Sequence, residues 1–184
     1  MSTLYGCDTM SKFLFKIVLL GDGAVGKTSI RRRYMGEGFK TDFLATMGAD
    51  FAYLKTKVDD YNIEWSIWDL AGQPAFRGVM KSYYKGAMGA LAVYDVTQPK
   101  SLDSLDSWVS EVRERAGTFG DLPIVLVGNK IDLRSEIPSS LKTIQGFVKS
   151  KSLNADFVET SAKTGEAVEE AFEKLARKII PYIK

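Results

Sequence analysis

Gly21-Asp22-Gly23-Ala24-Val25-Gly26-Lys27-Thr28-Ser29, or GDGAVGKTS, follows the apolar run Phe15-Lys16-Ile17-Val18-Leu19-Leu20 and opens a helix-compatible stretch. As a bare string, G-x-x-x-x-G-K-[ST] can be a turn that happens to end in Lys-Thr. The order strand, glycine loop, helix turns it into a mechanism. Gly21, Gly23 and Gly26 let the backbone curl until successive N–H groups converge on phosphate oxygens at the positive end of a helix. Gly23, Ala24, Val25, Gly26, Lys27, Thr28 and Ser29 then form the cradle. Lys27 reaches the β- and γ-phosphates, and the Thr28 hydroxyl is a candidate Mg²⁺ ligand. The chain is expected to bind a nucleoside triphosphate.

Working outward, the 184 residues suit one domain, and 45% hydrophobic with 26% charged residues is ordinary for a globular chain. A net charge of +2 is too small to imply nucleic acid or a membrane surface. Arg31-Arg32-Arg33 is expected to be the solvated side of the first helix. Cys7 is the only cysteine, which excludes an intrachain disulfide and a cysteine-built zinc site and favours an intracellular setting. The chain has no histidine, so a metal must be held by oxygens. No window has the apolar length of a membrane span, and the N-terminus lacks a secretory signal.

Strand-like runs fall at Phe15 to Leu20, Phe51 to Val58, Ile63 to Leu70, Gly89 to Tyr94, Ile124 to Gly128 and Phe157 to Thr160. Helical spacing joins Leu102, Leu105, Trp108, Val109 and Val112, then Leu141, Ile144, Phe147 and Val148, then Val168, Ala171, Phe172, Leu175 and Ile179. Asp59-Asp60 is expected to turn a hairpin, giving one antiparallel pair on an otherwise parallel six-stranded sheet. Helices on both faces make a doubly wound α/β domain with its ligand at the carboxyl ends of the strands. The expected organisation is an arm over 1–12, one domain over 13–180 and a short end over 181–184.

Four further segments sit where such a ligand would lie. Asp69 closes the third strand, where a carboxylate can hold Mg²⁺ directly or through water. Gly72 brings its N–H close to a γ-phosphate, and Gln73 is placed to orient an attacking water. In Asn129-Lys130-Ile131-Asp132, the Asp132 carboxylate can accept from the N1–H and 2-amino group of guanine. Adenine offers neither donor and would leave the carboxylate unpaired. Thr160-Ser161-Ala162-Lys163 has the small residues that let a backbone N–H meet the guanine O6. Thr46, in the segment Phe39 to Asp50, is the candidate second hydroxyl ligand of Mg²⁺.

On GDGAVGKTS, Thr46, WDLAGQ (Trp68 to Gln73), NKID and ETSAK (Glu159 to Lys163), the chain resembles the small GTPases of the Ras superfamily over about Phe13 to Ile180. Within them it resembles the Rab-like branch, through Thr46 to Phe51, Tyr83 to Ala87 and Val93 to Thr97. The resemblance implies the P-loop GTPase fold and a guanine-nucleotide switch that hydrolyses GTP slowly with Mg²⁺. It implies that Phe39 stacks on the guanine edge, Phe43 covers the phosphates, Lys130 lies along the base and Ala162 offers its N–H to the guanine oxygen. Phe51, Trp68 and Tyr83 match the aromatic trio of the Rab effector surface, with core packing as the plain alternative.

Expected partners are an exchange factor, a GTPase-activating protein and effectors, meeting a monomer through 39–51 and 70–84. A membrane-trafficking or signalling role follows. The sequence departs from the pattern at Pro74, where the branch usually has Glu, and Pro restricts Gln73. It also ends at Lys184 without the cysteine-bearing tail of the branch, as expected either of a Rab whose tail has been removed or of a relative, such as an archaeal one, that never lipidates it. A cytoplasmic protein is therefore expected, with membrane association only through a tail absent here or a partner. Two rivals stay open: a GTP-binding scaffold that does not turn over, and a P-loop ATPase or small-molecule kinase.

Overall fold

Branched apolar residues in runs of six or more cannot leave either face wet, so they assemble a sheet covered on both sides. The computed structural model describes residues 12–39, 46–73, 77–117, 121–136 and 155–183. In chain order these carry β1 (Lys12–Leu20), α1 (Lys27–Tyr34), β2 (Ala49–Val58), β3 (Tyr61–Leu70), α2 (Arg77–Met80), β4 (Gly89–Asp95), α3 (Pro99–Asp103), α4 (Leu105–Ala116), β5 (Ile124–Asn129), β6 (Ala155–Thr160) and α5 (Val168–Ile179). The six strands lie in the order β2-β3-β1-β4-β5-β6, and only β2 runs antiparallel to its neighbour. This is the mostly parallel six-stranded sheet with one antiparallel strand that the sequence predicts.

All six expected strands are present, and their ends extend by one to three residues. The extensions are informative because Asp95 and Asn129 become the last residues of β4 and β5. Val58 pairs with Tyr61, which leaves Asp59-Asp60 as the two-residue hairpin loop. Asp59 has φ +52, a conformation its short polar side chain tolerates. The single helix expected around Leu102 to Val112 is two helices, handing over at Ser104. The expected helix at Leu141, Ile144, Phe147 and Val148 lies outside the described residues.

Two apolar layers result. One contains Phe15, Ile17, Trp65 and Ile67 with Ile30 of α1 and Phe172 and Leu175 of α5. The other contains Val18, Leu20, Ala92 and Leu126 with Leu105, Trp108 and Val112 of α4. Tyr34 of α1 stacks on Phe172 at a centroid distance of 3.7 Å and meets Trp65 edge-on, which fixes α1 against α5. The chain leaves β1 and returns on one side of it as β2 and β3, then on the other as β4. The loop after β1 therefore sits at the topological switch point, where open α/β sheets hold their ligands.

Candidate functional site

That loop is GDGAVGKTS, and its backbone takes the curled path expected of its glycines. Gly21 (φ +130) and Gly26 (φ +102) occupy conformations that favour glycine, Ala24 (φ +64) is also left-handed, and Gly23 does not take a positive φ. Space decides the matter as well as torsion. A Cβ on Gly21 would lie 2.1 Å from the Val93 carbonyl oxygen, and one on Gly26 would lie 2.2 Å from Asn129 Nδ2. Gly26 caps α1 without a side chain, so the first-turn N–H groups of α1 stay open to an anion. Lys27 is buried, and its Nζ donates to the carbonyls of Gly21 and Asp22, each at 2.7 Å. Burial pulls its ammonium down to about 8, against the opposing pull of Asp69 and Asp22.

Beside Lys27, three oxygens from three elements converge. Thr28 Oγ1 lies 2.9 Å from Thr46 Oγ1 and donates to Asp69 Oδ2 at 2.5 Å. Asp69 is fully buried, and its other oxygen, Oδ1, has no hydrogen-bond partner. Burial raises the Asp69 carboxyl, while Thr28 and Lys27 draw it the other way. A buried carboxylate with an unpaired oxygen, next to two hydroxyls, fits a hard divalent cation. Among the described residues no cluster of three or more His, Cys, Asp or Glu exists. The donor set instead suits Mg²⁺, which takes one or two carboxylates and completes its shell with phosphate and water.

The turn after β3 closes over this corner. A Cβ on Gly72 would lie 2.4 Å from the carbonyl carbon and oxygen of Asp22, so the two loops touch through backbone alone. Ala71 N–H donates to the Gly48 carbonyl at 2.8 Å, which ties the turn to the segment carrying Thr46. Gln73 is exposed, and its Cγ would meet a Cβ on Gly23 at 3.8 Å. Phe39 is also exposed. Phe43 and Pro74 lie outside the described residues.

The other end of the site centres on Asn129, which is buried at the tip of β5. Its Nδ2 donates to the Val25 carbonyl at 2.9 Å, and its Oδ1 accepts from Ala162 N–H at 3.0 Å and Thr160 Oγ1 at 3.3 Å. The Ala162 amide, expected to face a base, is thus directed at Asn129. Lys130 (φ +73) places Nζ 2.6 Å from Asp95 Oδ2. Burial would raise the Asp95 carboxyl, but hydrogen bonds from Lys130 and Thr97 outweigh it and hold it below the usual carboxylate range. Asp132 accepts from Ser161 Oγ at 2.6 Å, with Lys163 Nζ 4.0 Å from its second oxygen.

The arginine triplet departs from expectation. Arg31 is buried and pairs with Asp50 at 2.6 Å, while Arg33 donates from Nε to the Ala162 carbonyl at 2.9 Å and from its terminal nitrogen to the Lys163 carbonyl. The sequence alone does not show this, because α1 lies on the sheet beside α5 and has little solvated side. Sequence reasoning also passed over Asp22, whose carboxylate accepts from Trp108 Nε1 at 2.9 Å. No local spacing signals a contact across 86 positions. On the adjoining face, Phe51, Trp68 and Tyr83 form a continuous row at centroid distances of 5.4 and 5.3 Å, with Lys16 Nζ over the Trp68 ring. Phe51 is half exposed, which favours a surface over core packing for the row.

Comparison with known proteins matches residues 16–181 to a family described as the Ras family. The chain is 39% identical over 168 residues to the Ras-related protein Rab-8B of Homo sapiens, covering 91% of this chain and 79% of that protein. It is 40% identical over 174 residues to the Ras-related protein Rab-7a of Dictyostelium discoideum, covering 94% and 85%. It is 41% identical over 173 residues to the Ypt/Rab-type GTPase Rab7 of Neurospora crassa, covering 92% and 84%. No helix among the described residues is long and apolar enough to cross a membrane.

Proposed function

We propose, from the premise that this chain belongs to the Ras family as a Rab-like GTPase that binds guanine nucleotide, that it is a Mg²⁺-dependent switch which hydrolyses GTP slowly. The observation that carries the proposal is the meeting of Thr28, Thr46 and Asp69 oxygens beside the buried Lys27 ammonium. When bound, Mg²⁺ supplies charge neutralisation for the β- and γ-phosphates. Thr28, Thr46 and Asp69 are the residues that would hold it.

Lys27 and the N–H groups of Gly23 to Ser29 take up the phosphate charge. Gly72 presents its N–H to the γ-phosphate, and Gln73 orients a water in line with the bond to the leaving oxygen. The water adds to the γ-phosphorus as that bond breaks, giving GDP and inorganic phosphate. At the base, Asp132 accepts from guanine N1–H and the 2-amino group, Lys130 lies along the ring and Phe39 covers its edge. Phe43 shields the phosphates. Asn129, Ser161, Ala162 and Lys163 hold the base loop in shape. The bond from Ala162 N–H to Asn129 is the one the guanine oxygen shares or displaces.

Thr46 and Gly72 both act on the γ-phosphate side, so losing that phosphate releases their segments. Exchange factors, activating proteins and effectors meet the monomer across 39–51 and 70–84, with Phe51, Trp68 and Tyr83 as the apolar part of that surface. The setting is cytoplasmic, in membrane trafficking, with membrane contact supplied by a tail or partner. Related GTPases turn over alone at about 10⁻⁴ s⁻¹ and gain about 10⁵-fold from a partner's arginine. The test is single-turnover GTP hydrolysis with and without Mg²⁺, with ATP as competitor. Turnover that requires Mg²⁺ and ignores ATP supports the proposal. Tight GTP binding without turnover would instead favour a non-hydrolysing scaffold.

A further inference from the structure

Asp22 is where three parts of the site meet. Its carbonyl oxygen accepts from Lys27 Nζ at 2.7 Å, and its backbone lies against Gly72 too closely for any Cβ there. Its side chain is an acid inside a loop whose task is to cradle a polyanion. An unrestrained carboxylate at that position has two favourable options, and both oppose phosphate binding: it can take the Lys27 ammonium, or it can stand where the last phosphate arrives. The structure shows a third arrangement. Trp108 of α4 donates its indole N–H to Asp22 Oδ1 at 2.9 Å. Trp108 is 3% exposed, on the same buried face as Leu105, Val109 and Val112. The indole is a rigid donor with no acceptor of its own, and a hydrogen bond to an ionised acceptor is about twice as strong as a neutral one.

We propose that Trp108 is a positioning residue for the terminal phosphate. Its indole draws the Asp22 carboxylate toward α4 and away from the corner where Gly72 meets the phosphate loop, so that its pull on the Lys27 ammonium acts through space rather than as an ion pair. This rests on the assignment of GDGAVGKTS as the phosphate cradle. The residue therefore acts on the difference between GTP and GDP, because only the third phosphate reaches the Gly72 corner.

The experiment compares GTP and GDP affinities, with Mg²⁺, in the parent chain, Trp108→Phe, Asp22→Asn and the double variant. Phe keeps most of the packing and removes the donor. Trp108→Phe is expected to lower GTP affinity about tenfold more than GDP affinity. Asp22→Asn in that background removes the freed charge and is expected to restore the parent ratio. Recovery of parent-like GDP affinity in the double variant shows that it folds. In ¹⁵N-labelled GDP-bound protein, the Trp108 indole N–H resonance is expected to shift in Asp22→Asn. Equal weakening of both nucleotides by Trp108→Phe, or a double variant that keeps the GTP defect, overturns the proposal and leaves Trp108 a packing residue. A parent chain that binds neither nucleotide overturns the cradle assignment instead, so the two failures are distinguishable.

Discussion

Asn129 and Val25 stand 104 positions apart in the chain and are joined by one hydrogen bond of 2.9 Å, from the side-chain amide of the first to the carbonyl of the second. The same amide group accepts from Ala162 N–H. One buried side chain thereby fastens the phosphate loop to the loop that follows β6, and neither loop can move without disturbing the other.

Replacing Asn129 with Ala leaves the Val25 carbonyl and the Ala162 amide short of a partner in a buried place, at roughly 1–3 kcal/mol each. GDP is expected to leave at least tenfold faster, and the melting temperature to fall. Release of a fluorescent GDP analogue measures the first and thermal unfolding the second. Parent-like release would show that the two loops hold nucleotide independently.

Asp132→Asn exchanges an acceptor for a mixed amide, and preference is expected to move from guanine to xanthine nucleotides. Loss of the charge-assisted pair with guanine costs roughly 2–4 kcal/mol. Competition between GDP and XDP reads this directly. Unchanged GDP affinity would remove Asp132 from the base site.

Gln73→Leu keeps GTP and Mg²⁺ but cannot hydrogen-bond a water, so single-turnover hydrolysis is expected to slow while affinity holds. An unchanged rate would take Gln73 out of the chemistry and point to its neighbour Pro74 as the reason.

Thr28 and Thr46 touch the same corner but belong to different parts of the fold, one on α1 and one ahead of β2. Thr28→Asn is expected to weaken GTP more than GDP. Thr46→Ala is expected to leave GDP affinity nearly intact while loosening the segment ahead of β2 in the GTP form. Hydrogen exchange over residues 39–50, compared between GDP and a non-hydrolysable GTP analogue, measures this. Equal protection in both states would mean the chain binds nucleotide without switching.

Lys27 is expected to make nucleotide binding depend on pH. Its ammonium titrates at about 8 when surrounded only by protein, because burial disfavours the charge. Phosphate contact raises that value. The affinity Lys27 contributes is therefore complete below about pH 8 and is lost as pH rises toward the bound-state value, by up to about tenfold per pH unit. Titration of GDP between about pH 7 and about pH 9 is expected to show this slope, and Lys27→Ala to flatten it. A parent chain with no slope would mean that phosphate leaves the Lys27 proton affinity unchanged.

Much of this site was legible because its residues act near their own sequence neighbours. Gly21 to Ser29 encode a loop through torsion and small size, and Asp69, Asn129 and Ser161 are marked by standing at or beside the ends of strands. The strand register was legible for the same reason, since the Asp59-Asp60 turn fixes which residues face each other across β2 and β3. The three arginines were not. Arg31, Arg32 and Arg33 look alike in sequence, and only the packing of α1 on the sheet beside α5 gives the first an ion pair with Asp50 and the third a grip on Ala162 and Lys163. Trp108 was assigned correctly to the core by its spacing, but its single polar atom had a partner that spacing cannot show. The handover at Ser104 was hidden because both short helices share one apolar stripe.

Helix α1 touches the two ends of the site at once: Lys27 at its first turn lies in the phosphate loop, and Arg33 near its last clasps the carbonyls of Ala162 and Lys163. Six residues separate them, a rise of about 9 Å along a rigid rod. The helix is thus a gauge that sets how far Ala162 and Lys163 stand from the loop over 21–29, and on the proposed assignment how far the base stands from the phosphates. Point substitutions that spare Lys27 and Arg33 keep that spacing, whereas adding or deleting one residue turns Arg33 by about 100° and shifts it by about 1.5 Å. The length of α1, more than its composition, is therefore what keeps Lys27 and Arg33 at their stations.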